Sequence, residues 1–251
     1  MSDQRVSIII PNKNSYEMLK DCIDSIFLTT SYPNYEIVIV ENGSTEEDIF
    51  EYYEILKKNH SNLRVFTYKE PFNFSAINNF AVRQTNSEFL LFLNNDTKII
   101  NEDWLIAMVR ILKNKKNGVA GATLLYDDDT VQHAGIATDP KWIAYHINHK
   151  ITRENIPTKS MTVDAVTGAC LLTTTDIFNK VGGFDENLPI AYNDVDFCLK
   201  VRDRGYKIKW TPNSLLYHYE SKTRGLDDGT EKRARLKRES EYMRSKWKTK
   251  L

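Results

Sequence analysis

Three clusters in the 251-residue chain have the residue types of a reacting site. The first is LFLNNDT, in which Asn95 and Asp96 emerge together from an apolar run. A carboxylate there can hold Mg²⁺ or Mn²⁺, which take oxygen ligands and bind through one or two carboxylates plus substrate phosphates. It can equally cap a helix entered at residues 101–104. The second is GGFDENLPIAYNDVDFCLKVRDRGYKIKW, where Asp194 and Asp196 open a helical pattern. Carboxylates are stabilised at a helix N-terminus by the dipole. Two residues apart, they face different directions. One can cap while the other faces a cleft as a general base, worth roughly 10² to 10⁴ in rate. The third is LYHYESKTRG, with His218 at the end of an apolar run, then Ser221, Lys222, Thr223, Arg224 and Gly225. A lone histidine is commonly structural, whereas one in this company can supply a metal ligand with pyrophosphate contacts on a loop. His60, His133, His146 and His149 lack such neighbours and read as structural or exposed.

The elements that must position these clusters follow from periodicity. VSIII (6–10) is a continuous apolar run, as a strand buried on both faces requires. Met18, Leu19, Cys22, Ile23, Ile26 and Phe27 recur at helical spacing, with Asn14 as N-cap and Glu17 three residues on. EIVIV (36–40), LRVFTY (63–68) and EFLLFL (88–93) read as further strands, separated by helical patterns at 49–56 and 75–84. Such βαβαβαβ order predicts an α/β, mostly parallel, doubly wound sheet whose ligands sit beyond the carboxyl ends of the strands. Chemistry is therefore expected at 11–14, 41–44 and 94–97.

Further on, an apolar stripe at 104–112 predicts a helix. GVAGATLLY (118–126) and TVQHAGIAT (130–138) read as strands joined by the acidic turn 127–129. Residues 139–160 show weak periodicity and suggest an irregular surface excursion. AVTGACLLT and YKIKW read as strands, with helices at 176–181 and at 194–204, the latter closed by Gly205. Leu236, Met243 and Trp247 fall near one face of a basic helix.

Composition narrows the function classes. With 34 basic and 34 acidic residues the formal charge is zero, against a general nucleic-acid or membrane coat. The balance is uneven: residues 221–251 hold 11 basic and 5 acidic groups, a tail of +6 on a body of −6. No apolar run approaches the roughly 20 residues that span a bilayer, and no secretory signal is read. Cys22, Cys170 and Cys198 are odd in number and set among apolar neighbours, as buried free thiols of a reducing cytoplasm are. After the first strand, PNKNSY is no glycine-rich phosphate loop, which argues against a nucleotidyltransferase and a dinucleotide dehydrogenase.

Taken together, VSIIIPNKNSYEMLKDCIDSI, EIVIVENGSTE, FNFSAINNFAVRQTNSEFLLFLNNDT, TGACLLTTTDIFNKVGGFDEN, YNDVDFCLKVRDRGY and LYHYESKTRG resemble, in that order, the inverting glycosyltransferases of family two, with the GT-A fold. The look is that of bacterial rhamnosyltransferase-like enzymes that build O-antigens, capsules and other cell-surface polysaccharides. The resemblance implies that Pro11 and Glu41 line a base pocket, with the carboxylate accepting the imide N–H of uracil or thymine; the family more often has Asp at Glu41. It implies a turn beside them at Asn42, Gly43 and Ser44, and donor contacts from Asn42, Asn78 and Asn95. Asn94, Asn95 and Asp96 occupy the DxD position, with Asn in the first place, leaving Asp96 as the acidic ligand of Mn²⁺ or Mg²⁺ and His218 to complete the metal site. Asp194 matches the catalytic base, preceded by Asn193 where Glu is commoner. Lys222 and Arg224 would neutralise the donor diphosphate. Gly182 and Gly183 would let the backbone approach an acceptor, and Asp185 would bind a sugar hydroxyl.

The implied function is transfer of a sugar such as rhamnose from a UDP- or dTDP-sugar to a growing, in part lipid-linked, bacterial glycan in the cytoplasm. The implied organisation is a GT-A domain over 1–220, nucleotide-binding to about residue 100 and acceptor-binding beyond, followed by a basic loop and helix over 221–251. That helix either packs on the body or lies against an anionic inner leaflet. The alternative is a non-catalytic nucleotide-sugar-binding or scaffold module.

Overall fold

The computed structural model describes residues 4–141, 143–219 and 229–248. Strands β1 (Val6–Asn12), β2 (Tyr35–Glu41), β3 (Leu63–Thr67) and β4 (Phe89–Leu93) alternate with helices α1 (Tyr16–Thr29), α2 (Glu47–Asn59) and α3 (Phe74–Val82). The strands lie in the order β3-β2-β1-β4, all parallel. Successive strand side chains point to opposite faces, so Ile8 and Ile10 enter one core with α1 and α2 while Ile9 enters a second core with α3. Both faces are covered, which is why the run is apolar throughout. Ser7 breaks it at no cost, because its hydroxyl donates to the buried Glu36 carboxylate at 2.6 Å, itself paired with Arg5 and Arg64.

The parallel ladder expected from the alternation is therefore present, and the second half makes the sheet mixed. After β5 (Thr97–Ile99) and α4 (Trp104–Leu112) come β6 (Asn117–Leu125), β7 (Val131–His133), β8 (Ile136–Asp139), β9 (Ile143–His146), β10 (Met161–Val163), β11 (Cys170–Thr174), α5 (Thr175–Lys180), α6 (Asn193–Asp203), β12 (Lys207–His218) and α7 (Thr230–Lys246). β11 inserts antiparallel between β4 and β6, and β12 runs parallel to β6. β5 and β10 pair antiparallel with β12.

Several local expectations are corrected. Asn14 does not cap α1: it and Ser15 are both left-handed (φ 54° and 62°), and its Oδ1 accepts the backbone N–H of Thr45 at 2.6 Å. Glu46 answers by accepting the N–H of Tyr16 at 3.1 Å, so the starts of α1 and α2 cap each other across the sheet edge. The run 130–138 is two strands, broken at Gly135 (φ 106°), where a Cβ would lie 2.7 Å from Val163. The excursion 139–160 is not irregular throughout, since β9 returns antiparallel on β8. Asp96 leads into β5 rather than a helix, so the capping alternative for it falls away. The three cysteines are free and buried as expected, and burial pushes the Cys22 thiol up to about 12.

The basic C-terminal helix docks on the body. Met243 and Trp247 enter the core that holds α3 and α6, whereas Leu236, expected on the same face, is 47% exposed.

Candidate active site

The carboxyl end of the parallel ladder carries a connected polar network. Asn95 donates to Asn12 Oδ1 at 2.6 Å, Asn12 Nδ2 to Tyr53 Oη at 2.8 Å, and Tyr53 to Glu41 Oε2 at 2.7 Å. Glu41 also accepts the N–H and hydroxyl of Ser44. It is 3% exposed and serves here as the anchor of the 41–44 turn. Burial and the adjoining Glu41 carboxylate push the Tyr53 hydroxyl above its ordinary range. Asn42 donates to the main-chain oxygens of Tyr68 and Glu70, fixing the loop after β3. Beyond these ends lie two adjoining depressions that share Thr67, one bordered by Glu41, Phe50 and Tyr53 and the other by Lys13, Asn42, Tyr68, Lys69 and Phe72. Pro11, next to Asn12 in β1, is half-buried beside them.

A second set gathers where β4 ends. His218 Nε2 lies 3.1 Å from Asp96 Oδ1 and 3.2 Å from Asn94 Nδ2. The antiparallel register of β12 with β5 brings this about, since it aligns His218 with Thr97, and Tyr219 N–H donates to Asp96 O at 2.9 Å. Asp96 and His218, 122 residues apart in sequence, are thereby placed in contact. Two ligands about 2.1 Å from one octahedral cation stand about 3 Å apart, so the Asp96–His218 separation and the O/N donor pair suit Mn²⁺ or Mg²⁺.

Asp194 sits in the first turn of α6, partly buried, and Asn193 lies beside it, buried. Asp194 Oδ2 accepts Gly168 N–H and Oδ1 accepts Val195 N–H, each at 2.8 Å. Gly168 belongs to the turn entering β11, and Asn94 N–H donates to the next carbonyl, Ala169, at 3.0 Å. The turn that carries Asp96 and the turn held by Asp194 are thus hydrogen-bonded neighbours. His133 supports the same turn, its Nε2 accepting N–H from Gly135 at 3.3 Å and Thr167 at 3.4 Å.

Asp196 takes the other role. It is fully buried and binds Trp247 Nε1 and Lys246 Nζ, each at 2.8 Å. The two carboxylates of the DVD segment are thereby separated, one toward the turn beside Asp96 and one locking α7.

Four expected site residues are employed differently. Asn78 is fully buried in α3, its amide donating to Phe74 O at 2.8 Å; its side chain lies in the core rather than in an open donor pocket. Gly183 (φ 66°) does allow a close approach, but to this chain's own Asn79 and Phe178, which a Cβ would meet at 2.7 and 3.0 Å. Asp185 has Oδ1 taken by Asn187 and Oδ2 by Tyr242 and Lys246. Burial opposes its ionisation, but Lys246, Tyr242 and Asn187 outweigh that and hold the carboxyl well below the usual range. It anchors α7 instead of facing an acceptor. Asn95 is spent on Asn12. Lys222 and Arg224 lie outside the described residues. Asn12 falls in the 11–14 segment where chemistry was expected, whereas Tyr53 and Gln132 escaped the sequence reading; the signal for Gln132 is a polar side chain next to apolar Val131 in a short strand, and Tyr53 lies in a helical stretch with no such signal.

A parallel four-stranded ladder continued by antiparallel strands into one mixed sheet, with helices on both faces, is the GT-A class of fold. Solved structures agree: the GalNAc-T7 complex with UDP, GalNAc and Mn²⁺ superposes with a TM-score of 0.72 at 16% identity, over 86% of this chain and 44% of that one. The mannosyltransferase PcManGT of Pyrobaculum calidifontis, solved with GDP-Man and Mn²⁺, gives 0.71 at 17% over 97% and 64%. Residues 7–182 match glycosyl transferase family 2, and the chain belongs to that family. The uncharacterized protein y4gI of Sinorhizobium fredii is 40% identical over 97% of this chain and 28% of its own length. The O-antigen biosynthesis protein RfbC of Myxococcus xanthus is 33% identical over 89% and 18%. The rhamnosyltransferase WbbL of Escherichia coli is 25% identical over 59% and 61%. The chain thus spans less than a third of the length of the first two. Among the described residues no helix is long and apolar enough to cross a membrane.

Proposed function

We propose that the chain is a metal-dependent, inverting glycosyltransferase that moves a sugar, such as rhamnose, from a UDP- or dTDP-sugar to a growing bacterial surface glycan. The observation that carries the reading is the junction of the 94–96 and 167–169 turns, which sets the Asp96–His218 pair beside the turn that Asp194 holds. Asp96 and His218 would hold Mn²⁺ or Mg²⁺. A divalent cation there supplies positive charge against a leaving diphosphate. Asp194 takes the proton of an acceptor hydroxyl, which then attacks the anomeric carbon opposite the leaving group and inverts it. The backbone N–H groups of Gly168 and Val195 fix the orientation of the carboxylate for that task. The depressions at the ends of β2 and β3, with Pro11, Glu41 and Asn42 around them, would receive the nucleoside, and Lys222 and Arg224 the diphosphate. The relatives' names support the glycan class, and GT-A structures with bound Mn²⁺ support the metal. A cytoplasmic location, next to a lipid-linked acceptor, follows from that reading.

The test is release of nucleoside diphosphate from a panel of UDP-, dTDP- and GDP-sugars, with Mn²⁺ or Mg²⁺, by wild type and Asp194→Asn. Release that needs metal and falls at least about 10²-fold in the variant supports the transferase. Metal-dependent binding of a nucleotide sugar without turnover by any acceptor would favour the scaffold module instead, and no binding at all would refute both.

A further inference from the structure

Strand β7 carries, beside His133, a residue that the mechanism above does not use: Gln132, buried against His218. Gln132 Nε2 lies 3.3 Å from the main-chain oxygen of His218, and Gln132 Oε1 lies 2.5 Å from His218 Nδ1. A carbonyl oxygen can only accept, so the amide nitrogen must face it and Oε1 must face the ring. Oε1 in turn can only accept, so Nδ1 carries the proton. The lone pair of the neutral ring is then on Nε2, the atom 3.1 Å from Asp96 Oδ1 and within reach of the Asn94 amide. A nitrogen lone pair aimed beside a carboxylate oxygen is the arrangement of two ligands awaiting one cation.

We infer that Gln132 is a positioning residue, which holds His218 as the Nδ1–H tautomer and so presents its Nε2 lone pair, together with Asp96, to a divalent cation. The assignment rests on the metal reading proposed above. Its two-point grip on one residue, ring and main chain together, fixes the rotation of the imidazole as well as its tautomer. An amide also leaves the site's charge unchanged, where a carboxylate in the same place would make it more negative. A buried glutamine that served packing alone would not need both ends of its amide on His218.

The full chain is titrated with Mn²⁺ and free metal is read by electron paramagnetic resonance, without donor or turnover. Partners that orient a metal-bound histidine are worth roughly 10- to 100-fold in affinity, so Gln132→Met is expected to weaken Mn²⁺ binding by that factor. Gln132→Glu, which keeps an acceptor for Nδ1–H, is expected to restore binding to within a few-fold of wild type. In a His218→Ala background Gln132→Met should have no further effect, because a residue acting through His218 has nothing left to position. Wild-type affinity in Gln132→Met, or an equal loss with and without His218, overturns the assignment. A chain that binds no Mn²⁺ even as wild type overturns the metal reading and this assignment with it. A check needing no variant is the long-range ¹H–¹⁵N spectrum of metal-free wild type at alkaline pH: an Nδ1–H tautomer at His218 is expected, and an Nε2–H tautomer overturns the proposal.

Discussion

Replacing Trp247 by phenylalanine tests whether the basic C-terminal helix holds the start of α6 in place. Trp247 Nε1 donates at 2.8 Å to Asp196, which is fully buried two residues from Asp194. Phenylalanine keeps most of the apolar contact and removes the donor. The buried carboxylate is left with Lys246 at 2.8 Å and Lys200 at 3.5 Å. A hydrogen bond to a charged group contributes about 1.5–3 kcal/mol, so a loss of about 2 kcal/mol is expected. For a chain of this size that lowers Tm by about 4–8 °C. Glu239 accepts the N–H groups of Ile190 and Ala191, in the segment leading into α6. If α7 loosens first, hydrogen exchange at those two amides should rise before that of β1 or β4. An unchanged urea midpoint together with unchanged exchange at 190 and 191 would refute the argument that this bond holds α7 to the start of α6.

Other perturbations have equally definite outcomes. A Cβ on Gly121 would lie 2.4 Å from Val166 Cγ1, so Gly121→Ala should cost about 1–3 kcal/mol by urea denaturation, and adding Val166→Ala should recover part of it. Burial, then His146 and His218, hold His133 well below its ordinary 6.5. Its contribution to stability is therefore intact above pH 6.5 and is lost as pH falls, by up to about 1.4 kcal/mol per unit, because the unfolded chain takes the proton and the folded one resists it. His133→Gln should flatten the urea midpoint between pH 7 and 5. The outer face of α7 exposes Lys232, Arg233, Lys237 and Arg238 with Leu236; sedimentation with anionic vesicles is expected at low salt and loss of it near 0.5 M, roughly where screening shortens to a few ångströms. Binding to neutral vesicles alone would contradict the electrostatic origin.

The alternation of apolar runs and helical stripes was sufficient to read four parallel strands with helical crossovers, because a strand covered on both faces leaves an unbroken apolar signature and parallel strands need such crossovers; their order, β3-β2-β1-β4, came from the structure. The roles expected of Asp96, Asp194 and His218 came from the family resemblance; the residues themselves were legible as polar groups where apolar runs end or a helical pattern opens. Their relation was not. Asp96 meets His218 only because β5 pairs with β12, and Asp194 reaches the neighbouring turn only because β11 lies antiparallel on β4; pairing at such separations leaves no local periodicity. The same holds for the division of labour between Asp194 and Asp196. Spacing showed that they diverge, but which one turned to the site and which to α7 depended on where Trp247 and Lys246 came to rest. Asn78, Gly183 and Asp185 carry the clearest lesson. Residue type and order fitted ligand contacts, but packing within the chain engaged each of them: the Asn78 amide donates to Phe74 in its own helix, Gly183 lies against Asn79 and Phe178, and Asp185 accepts from Tyr242 and Lys246 of α7.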